Sequence, residues 1–181
     1  MTRPADLVHA ATLTSPIGRL VIFGTADAVT EVAWSDDEVE TPAPNHSPVT
    51  EAAGQLDAYF RRQLKHFDVP MTPHGSPFQT KVWDALLAIP FGETASYGQI
   101  ARLVGSVARP VGMACGANPI PVLIPCHRVV AANGRLTGYS GGDGIKTKQI
   151  LLELENQGQA DLFGISRACY DAPPKDRYSR A

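Results

Sequence analysis

The residues best suited to chemistry lie in the run 122–130, where Cys126 is followed directly by His127 and Arg128. A cysteine inside an apolar, β-branched run is usually a small buried side chain. Here two potential cations adjoin a thiol, and a thiol must ionise before it becomes a good nucleophile. The sequence Pro125-Cys-His-Arg therefore predicts a reactive cysteine.

A histidine that serves as the base for Cys126 needs a third group to orient it, and a carboxylate is the usual choice. The run 122–130 is predicted to be extended and buried, so that successive side chains point to opposite faces. His127 would then not touch Cys126 directly, and a bridging water would carry the proton. Glu155, on the last predicted helix, is the candidate orienting group, although spacing does not distinguish it from Glu153.

The first part of the chain predicts a small α+β unit. Residues 13–23 and 29–34 are β-rich segments separated by a Gly-Thr-Ala-Asp turn, which indicates a hairpin. The acidic, proline-containing residues 35–48 predict a loop. A helix over residues 49–64 follows, with a stripe of apolar side chains expected in the core. The stripe consists of Leu56, Phe60 and Leu64.

Residues 69–77, with three prolines and a glycine, predict the boundary of a second, mostly helical unit. Two of its helices are joined by a tight Gly105-Ser106 turn, with Ser106 as the expected N-cap. Such a pair can place its second helix in a DNA groove, but it also occurs in proteins that never touch DNA. The predicted helices cover residues 78–89, 97–104, about 107–116 and 146–155.

Length and composition are those of a folded protein of two small domains. Of 181 residues, 44% are hydrophobic and 19% charged, and no apolar run reaches membrane-spanning length. We expect domains at residues 1–75 and 76–158, a weakly ordered tail at 159–181, and a cytoplasmic location. The three widely spaced cysteines favour free thiols over disulfides and have no metal-ligand spacing.

Charge is unevenly distributed along the chain. Residues 1–75 carry five Lys/Arg against ten Asp/Glu, whereas residues 76–155 carry seven against five. Small asymmetries of this kind are common, so the difference only permits the second unit to contact an anion.

The second unit resembles a known family, the methylated-DNA--protein-cysteine methyltransferases, also called O6-alkylguanine-DNA alkyltransferases. The resemblance covers nearly all of residues 78–155, whereas the first unit agrees only in general pattern. The matching motifs are Phe78-Gln, Val82-Trp-x-Ala-Leu, Ile89-Pro-x-Gly-Glu-Thr, Ser96-Tyr-Gly, Asn118-Pro, Ile124-Pro-Cys-His-Arg-Val-Val130, Gly138-Tyr-Ser-Gly-Gly142 and Leu151-Leu-Glu-Leu-Glu155.

The resemblance implies an α/β protein of two units. The N-terminal unit would be α+β with a small antiparallel sheet (ribonuclease H-like), and the C-terminal unit a mostly helical, winged helix-turn-helix-like DNA-binding domain. The implied function is DNA repair by direct, irreversible transfer of an alkyl group from O6-alkylguanine, with O4-alkylthymine as a further candidate substrate. The implied partner is double-stranded DNA containing alkylated guanine. We expect a monomer with no cofactor, no metal, no membrane association and no obligatory protein partner.

The resemblance also implies roles for four catalytic residues. Cys126 would accept the alkyl group, His127 would act through water as its base, Glu155 would orient His127, and Asn118 would brace the active-site turn. An alkyl carbon on a base oxygen cannot be attacked in line while the base is stacked, so base flipping is required. The thioether product is stable, so each molecule would act once.

A second group of residues is implied to contact DNA. Tyr97 would help to rotate the damaged nucleotide and would place a hydroxyl near the leaving guanine. Arg109 would enter the stack in place of that nucleotide. The other residues implied to contact the base or the DNA are Arg128, Val129, Tyr139 and Ser140.

Three features depart from the family pattern. Pro110 follows Arg109, and a residue before proline is pushed away from helical geometry. Residues 143–145 lengthen the glycine-rich loop that begins at Gly138, and the turn over residues 105–108 is slightly short. Cys115 is a second thiol at a pocket-wall position, which we interpret as packing.

Three rival functions stay open at this stage. A non-catalytic alkyl-base sensor would bind damaged DNA without gaining mass. A thiol hydrolase would turn over an acyl substrate, and a helix-turn-helix regulator with inert cysteines would bind a specific DNA sequence even after Cys126→Ala.

Overall fold

A computed structural model describes residues 9–36 and 43–156, which form two compact units divided between His74 and Gly75. The predicted fold class is confirmed, with an antiparallel sheet and a helix in the first unit and mostly helices in the second. The tail predicted at 159–181 and part of the loop predicted at 35–48 lie outside the described residues. No helix within the described ranges is long and apolar enough to cross a membrane.

The first unit contains a three-stranded antiparallel sheet rather than a two-stranded hairpin. The segment 13–23, predicted to be one strand, reverses at Pro16-Ile17, and the Ser15 hydroxyl donates to the Gly18 carbonyl across this turn. Proline has no N–H for a ladder, and Gly18 has a φ of 104°, so the strand cannot continue through this point. In spatial order, the strands are β1 (His9–Ser15), β2 (Gly18–Gly24) and β3 (Val29–Trp34).

Helix α1 (Pro48–Phe60) packs on the sheet of the first unit through one buried face. The predicted apolar stripe agrees with this face at Leu56 only, because Phe60 and Leu64 are partly exposed. The helix ends at Phe60, and Arg62 then adopts a left-handed conformation with a φ of 61°, which takes Leu64 out of the helical register. The buried face consists of Val49, Ala52, Leu56 and Tyr59.

The second unit contains the four predicted helices and a short parallel strand pair among its described residues. The two strands bring the segment before α3 beside the segment after Cys126. Trp83 is fully buried, and its indole N–H donates to the Ala114 carbonyl at 2.9 Å, which ties α2 to α4. The elements are α2 (Pro77–Leu87), β4 (Ala95–Ser96), α3 (Tyr97–Val104), α4 (Ala108–Gly116), β5 (Val129–Val130) and α5 (Ile145–Asn156).

The turn between α3 and α4 differs from the prediction at its N-cap. Gly105, with a φ of 68°, ends α3 as expected, but the N-cap of α4 is Val107 and not Ser106. Val107 makes no side-chain hydrogen bond to the helix. Pro110 is the third residue of α4, where a missing N–H costs little because the first helical N–H groups have no intrahelical acceptor. Arg109 is accordingly helical despite the proline that follows it.

The vacant capping position leads to a stability prediction. We expect Val107→Ser to raise the free energy of unfolding by about 1 kcal/mol, because the serine hydroxyl can accept from a first-turn N–H. Val107 is 67% exposed, so little apolar burial is lost. Urea denaturation measures the change. Val107→Ala removes the same methyl groups without adding an acceptor, and equal effects of the two substitutions would contradict the capping explanation.

Candidate active site

Cys126 begins a single 3-10 turn, whereas the run 122–130 was predicted to be extended. The turn starts because Pro125 has a ψ of 62°, far from strand geometry, and the Arg128 N–H donates to the Pro125 carbonyl at 3.0 Å. Successive side chains in a turn of this kind point roughly 120° apart instead of to opposite faces. The prediction that His127 and Cys126 point to opposite faces assumed an extended segment, and that assumption is wrong.

The side chain of Asn118 makes two hydrogen bonds within the loop that leads to Cys126. The Asn118 amide donates to the Ile124 carbonyl at 2.9 Å, and its oxygen accepts from the Ile120 N–H at 3.0 Å. Between them, Val122 is buried with a φ of 73°, a strained conformation for a β-branched residue. Such strain persists only where the surrounding contacts impose it, so this loop holds Cys126 in one position.

The Cys126 thiol is buried, with 6% of the residue exposed. Burial raises the pKa of this thiol, and the Asn118 side chain and the Lys148 ammonium oppose that rise. A thiol in this environment needs a base and a nearby positive charge to become a nucleophile.

His127 and Glu155 lie next to each other in the structure. His127 is fully buried, and its Nε2 lies 2.9 Å from Glu155 Oε1. Its other ring nitrogen, Nδ1, is buried and has no hydrogen-bond partner among the described residues. The ambiguity between the two glutamates is thereby resolved, because Glu153 accepts instead from the Gln149 side chain.

Arg128 does not lie where its implied DNA contact would require. The residue is only 6% exposed, and its guanidinium donates to Glu155 through Nε at 2.9 Å and Nη2 at 3.0 Å. Its Nη1 donates to the Ile89 carbonyl at 2.7 Å, and Phe91 covers its face with the ring centroid 5.9 Å away. The prediction of a DNA contact is corrected, because an ion pair with a buried carboxylate satisfies this cation inside the protein.

The pKa values of Glu155 and His127 are both shifted downward from their usual values. Burial alone would raise the pKa of Glu155, but the hydrogen bonds and charges of His127 and Arg128 outweigh it and hold that pKa well below its usual range. Burial lowers the pKa of His127, and the charges of Arg128 and Lys148 add to this effect against the attraction of Glu155. A neutral imidazole beside an ionised carboxylate is the form of a general base.

Lys148 is a site residue that the sequence reasoning missed. It is fully buried on α5, and its ammonium donates to the carbonyls of Val129 at 2.6 Å and Thr137 at 2.9 Å. The ammonium also lies 5.7 Å from the centroid of the Tyr97 ring. A signal existed, because Lys148 is seven residues before Glu155 and so lies on the same face of the helix.

The glycine-rich loop carries two of the implied base-contacting residues. The Ser140 hydroxyl donates to the Gly116 carbonyl at 3.1 Å, and the Tyr97 hydroxyl donates to the Thr137 carbonyl at 3.2 Å. Burial raises the pKa of Tyr139, so its phenol is a neutral group. These contacts hold the loop against α3 and α4.

Other implied positions are also located. Arg109 is exposed in the first turn of α4, where its side chain is accessible to a ligand. The Val129 N–H donates to the Cys126 carbonyl, and the Val129 carbonyl accepts from Lys148. Cys115 is buried, and burial and the neighbouring Cys126 raise its pKa to about 12, which makes it a poor nucleophile.

Two family matches cover nearly all of the described chain. Residues 77–157 match the 6-O-methylguanine DNA methyltransferase, DNA binding domain, and residues 8–73 match the ribonuclease-like domain of the same proteins. This chain belongs to the 6-O-methylguanine DNA methyltransferase family.

Relatives in this family extend over most of both chains. The methylated-DNA--protein-cysteine methyltransferase of Mycobacterium tuberculosis (strain ATCC 25618 / H37Rv) is 44% identical over 163 residues, which is 86% of this chain and 98% of the relative. The protein of the same name from Methanosarcina acetivorans is 41% identical over 155 residues, covering 82% of this chain and 98% of the relative.

Solved structures agree with the assignment to the 6-O-methylguanine DNA methyltransferase family. The crystal structure of Mycobacterium tuberculosis O6-methylguanine methyltransferase has a TM-score of 0.74 and 45% identity over 86% of this chain and 98% of that chain. The structure of Mycobacterium tuberculosis OGT in complex with DNA has a TM-score of 0.74 and 46% identity over the same shares.

Proposed function

We propose that this chain repairs O6-alkylguanine in DNA by transferring the alkyl group irreversibly to Cys126. The observation that carries the proposal is the buried Cys126 thiol directly before His127, whose Nε2 lies 2.9 Å from the buried Glu155 carboxylate. A nucleophile, a base and an orienting group are thus adjacent. DNA as the partner is supported by the similar protein that was solved in complex with DNA.

The reaction is a displacement at the alkyl carbon. His127 Nδ1 takes the thiol proton through one bridging water, and the sulfur of Cys126 forms a bond to the alkyl carbon as the carbon–O6 bond of guanine breaks. Guanine leaves with the electron pair of the broken carbon–O6 bond and gains a proton. Sulfur in a thioether is a poor leaving group, so the transfer is not reversed and each molecule acts once.

The target base must leave the duplex before this displacement, because the alkyl carbon is covered while the base is stacked. We assign the exposed Arg109 to the place that the flipped nucleotide vacates, and Tyr97 to turning that nucleotide and protonating the departing guanine. Tyr139, Ser140 and the backbone of Val129 line the base pocket in this proposal. The first turn of α4 adds backbone N–H groups that favour a phosphate.

The same chemistry extends to O4-alkylthymine, which also carries its alkyl group on an exocyclic oxygen. We propose that the protein acts as a monomer in the cytoplasm, without a cofactor or an obligatory protein partner.

The test is peptide mass spectrometry after incubation with duplex DNA that contains O6-methylguanine. We expect one methyl group per chain, located on Cys126 and absent from Cys126→Ser. Cys169→Ser is the matched control and should still be methylated. DNA binding without any mass gain would overturn the proposal in favour of a non-catalytic sensor, and turnover of acyl substrates would favour a thiol hydrolase.

A further inference from the structure

The buried Arg128 and His127 both contact the carboxylate of Glu155. We infer that Arg128 is a positioning residue, whose charge keeps a single proton on the Glu155–His127 pair, at Nε2, so that Nδ1 can accept a proton. This inference rests on the proposed function, because it assigns that free nitrogen to the deprotonation of Cys126.

The geometry couples Arg128 to the same oxygen that His127 contacts. Glu155 Oε1 lies 2.9 Å from His127 Nε2 and 3.0 Å from Arg128 Nη2, while Oε2 accepts from Arg128 Nε at 2.9 Å and from the Gly92 N–H at 3.1 Å. The Ile89 carbonyl holds the remaining arm of the guanidinium. Three N–H groups, those of Arg128 Nε, Arg128 Nη2 and Gly92, therefore donate to the carboxylate, which favours its ionised form.

The charge of Arg128 determines how many protons the Glu155–His127 pair carries. With Arg128 in place, the pair carries one proton, on Nε2, and donates it to ionised Glu155. Without a positive charge at this point, a buried carboxylate draws in a second proton. If that proton resides on the imidazole, Nδ1 carries it; if it resides on Glu155, the carboxyl donates to Nε2 and the ring hydrogen moves to Nδ1. In both cases Nδ1 loses the lone pair that the base needs.

Other charges near His127 do not replace Arg128. Lys148, on α5, also disfavours a charged imidazole, but its ammonium donates to the carbonyls of Val129, Thr137 and Gly138 rather than to Glu155. The groups that act on His127 from the elements packed around it are Glu155 and Lys148 of α5 and Arg128 of its own turn. Only Arg128 among these cations bonds directly to the carboxylate.

Nitrogen NMR of the full-length protein labelled with 15N-histidine tests this inference, because ring nitrogen shifts show which nitrogen carries hydrogen. Arg128→Gln removes the charge but keeps an amide donor, whereas Arg128→Lys keeps the charge. In the wild type and in the Lys variant, Nδ1 of His127 should lack hydrogen at neutral pH. In the Gln variant, the midpoint for protonation of Nδ1 should rise by at least about one pH unit.

A second readout is the pH profile of single-turnover alkyl transfer. The acid limb of the Arg128→Gln profile should move to higher pH by the same amount, and its rate should recover in alkali. Arg61→Met, which removes an exposed arginine directly after α1, is the control and should leave both measurements unchanged.

Two outcomes would overturn the inference: a Gln variant that titrates like the wild type, or a Lys variant that shifts as far as the Gln variant. If Arg128→Gln does not fold, the titration of the Lys variant decides alone, and a rise of about one pH unit or more in its Nδ1 midpoint would overturn the inference. The NMR measurement needs no alkyl transfer, so a wild-type protein that gains no methyl group defeats the proposed function separately from this result.

Discussion

Glu155→Gln is expected to lower the free energy of unfolding by about 3–5 kcal/mol and to slow alkyl transfer by at least about 100-fold. The carboxylate side chain is fully buried and contacts His127, Arg128 and the Gly92 N–H. A neutral amide leaves the buried guanidinium without its counter-charge. Its NH2 group also replaces an acceptor where His127 or Gly92 presents a donor, so the orientation of the imidazole is lost.

Urea denaturation and a single-turnover transfer assay measure these two effects. Glu153→Gln is the matched control, because it makes the same chemical change two residues earlier on α5, where the side chain accepts a hydrogen bond from Gln149. The control should change stability by no more than about 0.5 kcal/mol. A Glu155→Gln protein as stable and as active as this control would show that the buried network is not needed.

Acid pH should reduce the difference in the free energy of unfolding between the wild type and Glu155→Gln. The pKa of Glu155 is depressed in the folded protein, so its stabilisation is complete above the unfolded glutamate pKa of about 4.3 and is lost as the pH falls toward the folded value. His127 separately lowers the stability of the wild type in acid, because its lowered pKa means that the unfolded chain binds a proton below about pH 6.5 that the folded chain excludes. Denaturation at several pH values tests both signs.

Lys148→Met is expected to slow alkyl transfer at neutral pH by about tenfold or more, equivalent to a rise of about one unit in the pKa of Cys126. The ammonium of Lys148 favours the thiolate of Cys126. It also donates hydrogen bonds to the carbonyls of Val129 and of Thr137, which directly precedes the glycine-rich loop. Methionine preserves the length of the side chain but supplies neither the charge nor the three donors, so buried carbonyls lose a partner at a cost of about 1–3 kcal/mol.

The rate of haloacetamide modification of Cys126 against pH separates the charge effect from loss of structure. Its midpoint should move to higher pH in Lys148→Met, while the far-ultraviolet circular dichroism of the folded protein stays the same. Lys146→Met, an exposed lysine on the same helix, is the control and should match the wild type. An unchanged midpoint in Lys148→Met would mean that this cation does not stabilise the thiolate.

Local patterns predicted the elements of the second unit well. The bounds of α3 follow from Ser96 before the helix and Gly105 after it, since a capping box and a left-handed glycine are local signals. The N-cap of α4 was assigned to the wrong residue, because Ser106 has the preferred chemistry but Val107 has the required backbone position. Cap chemistry can be read from the sequence, whereas the path of the turn depends on how α3 and α4 pack.

The roles of the charged residues were harder to predict. Arg128 was expected at the DNA from the family resemblance, yet its partner is a carboxylate 27 residues away along the chain. Lys148 was missed because a lysine on an amphipathic helix is usually solvated. Both residues are buried only because acceptors from distant segments converge on them.

The sequence by itself determined that this protein has two units, a cysteine directly before a histidine, and a pair of short helices joined by a tight turn. These properties depend on residue types, on helical or strand periodicity and on contiguous motifs, all of which are local. The tertiary structure alone decided that the cysteine lies in a 3-10 turn, that Glu155 rather than Glu153 contacts His127, and that Arg128 and Lys148 are buried. Electrostatic energies at a buried site depend on distance in space and on exclusion of water, and neither quantity is encoded in the spacing of residues along the chain.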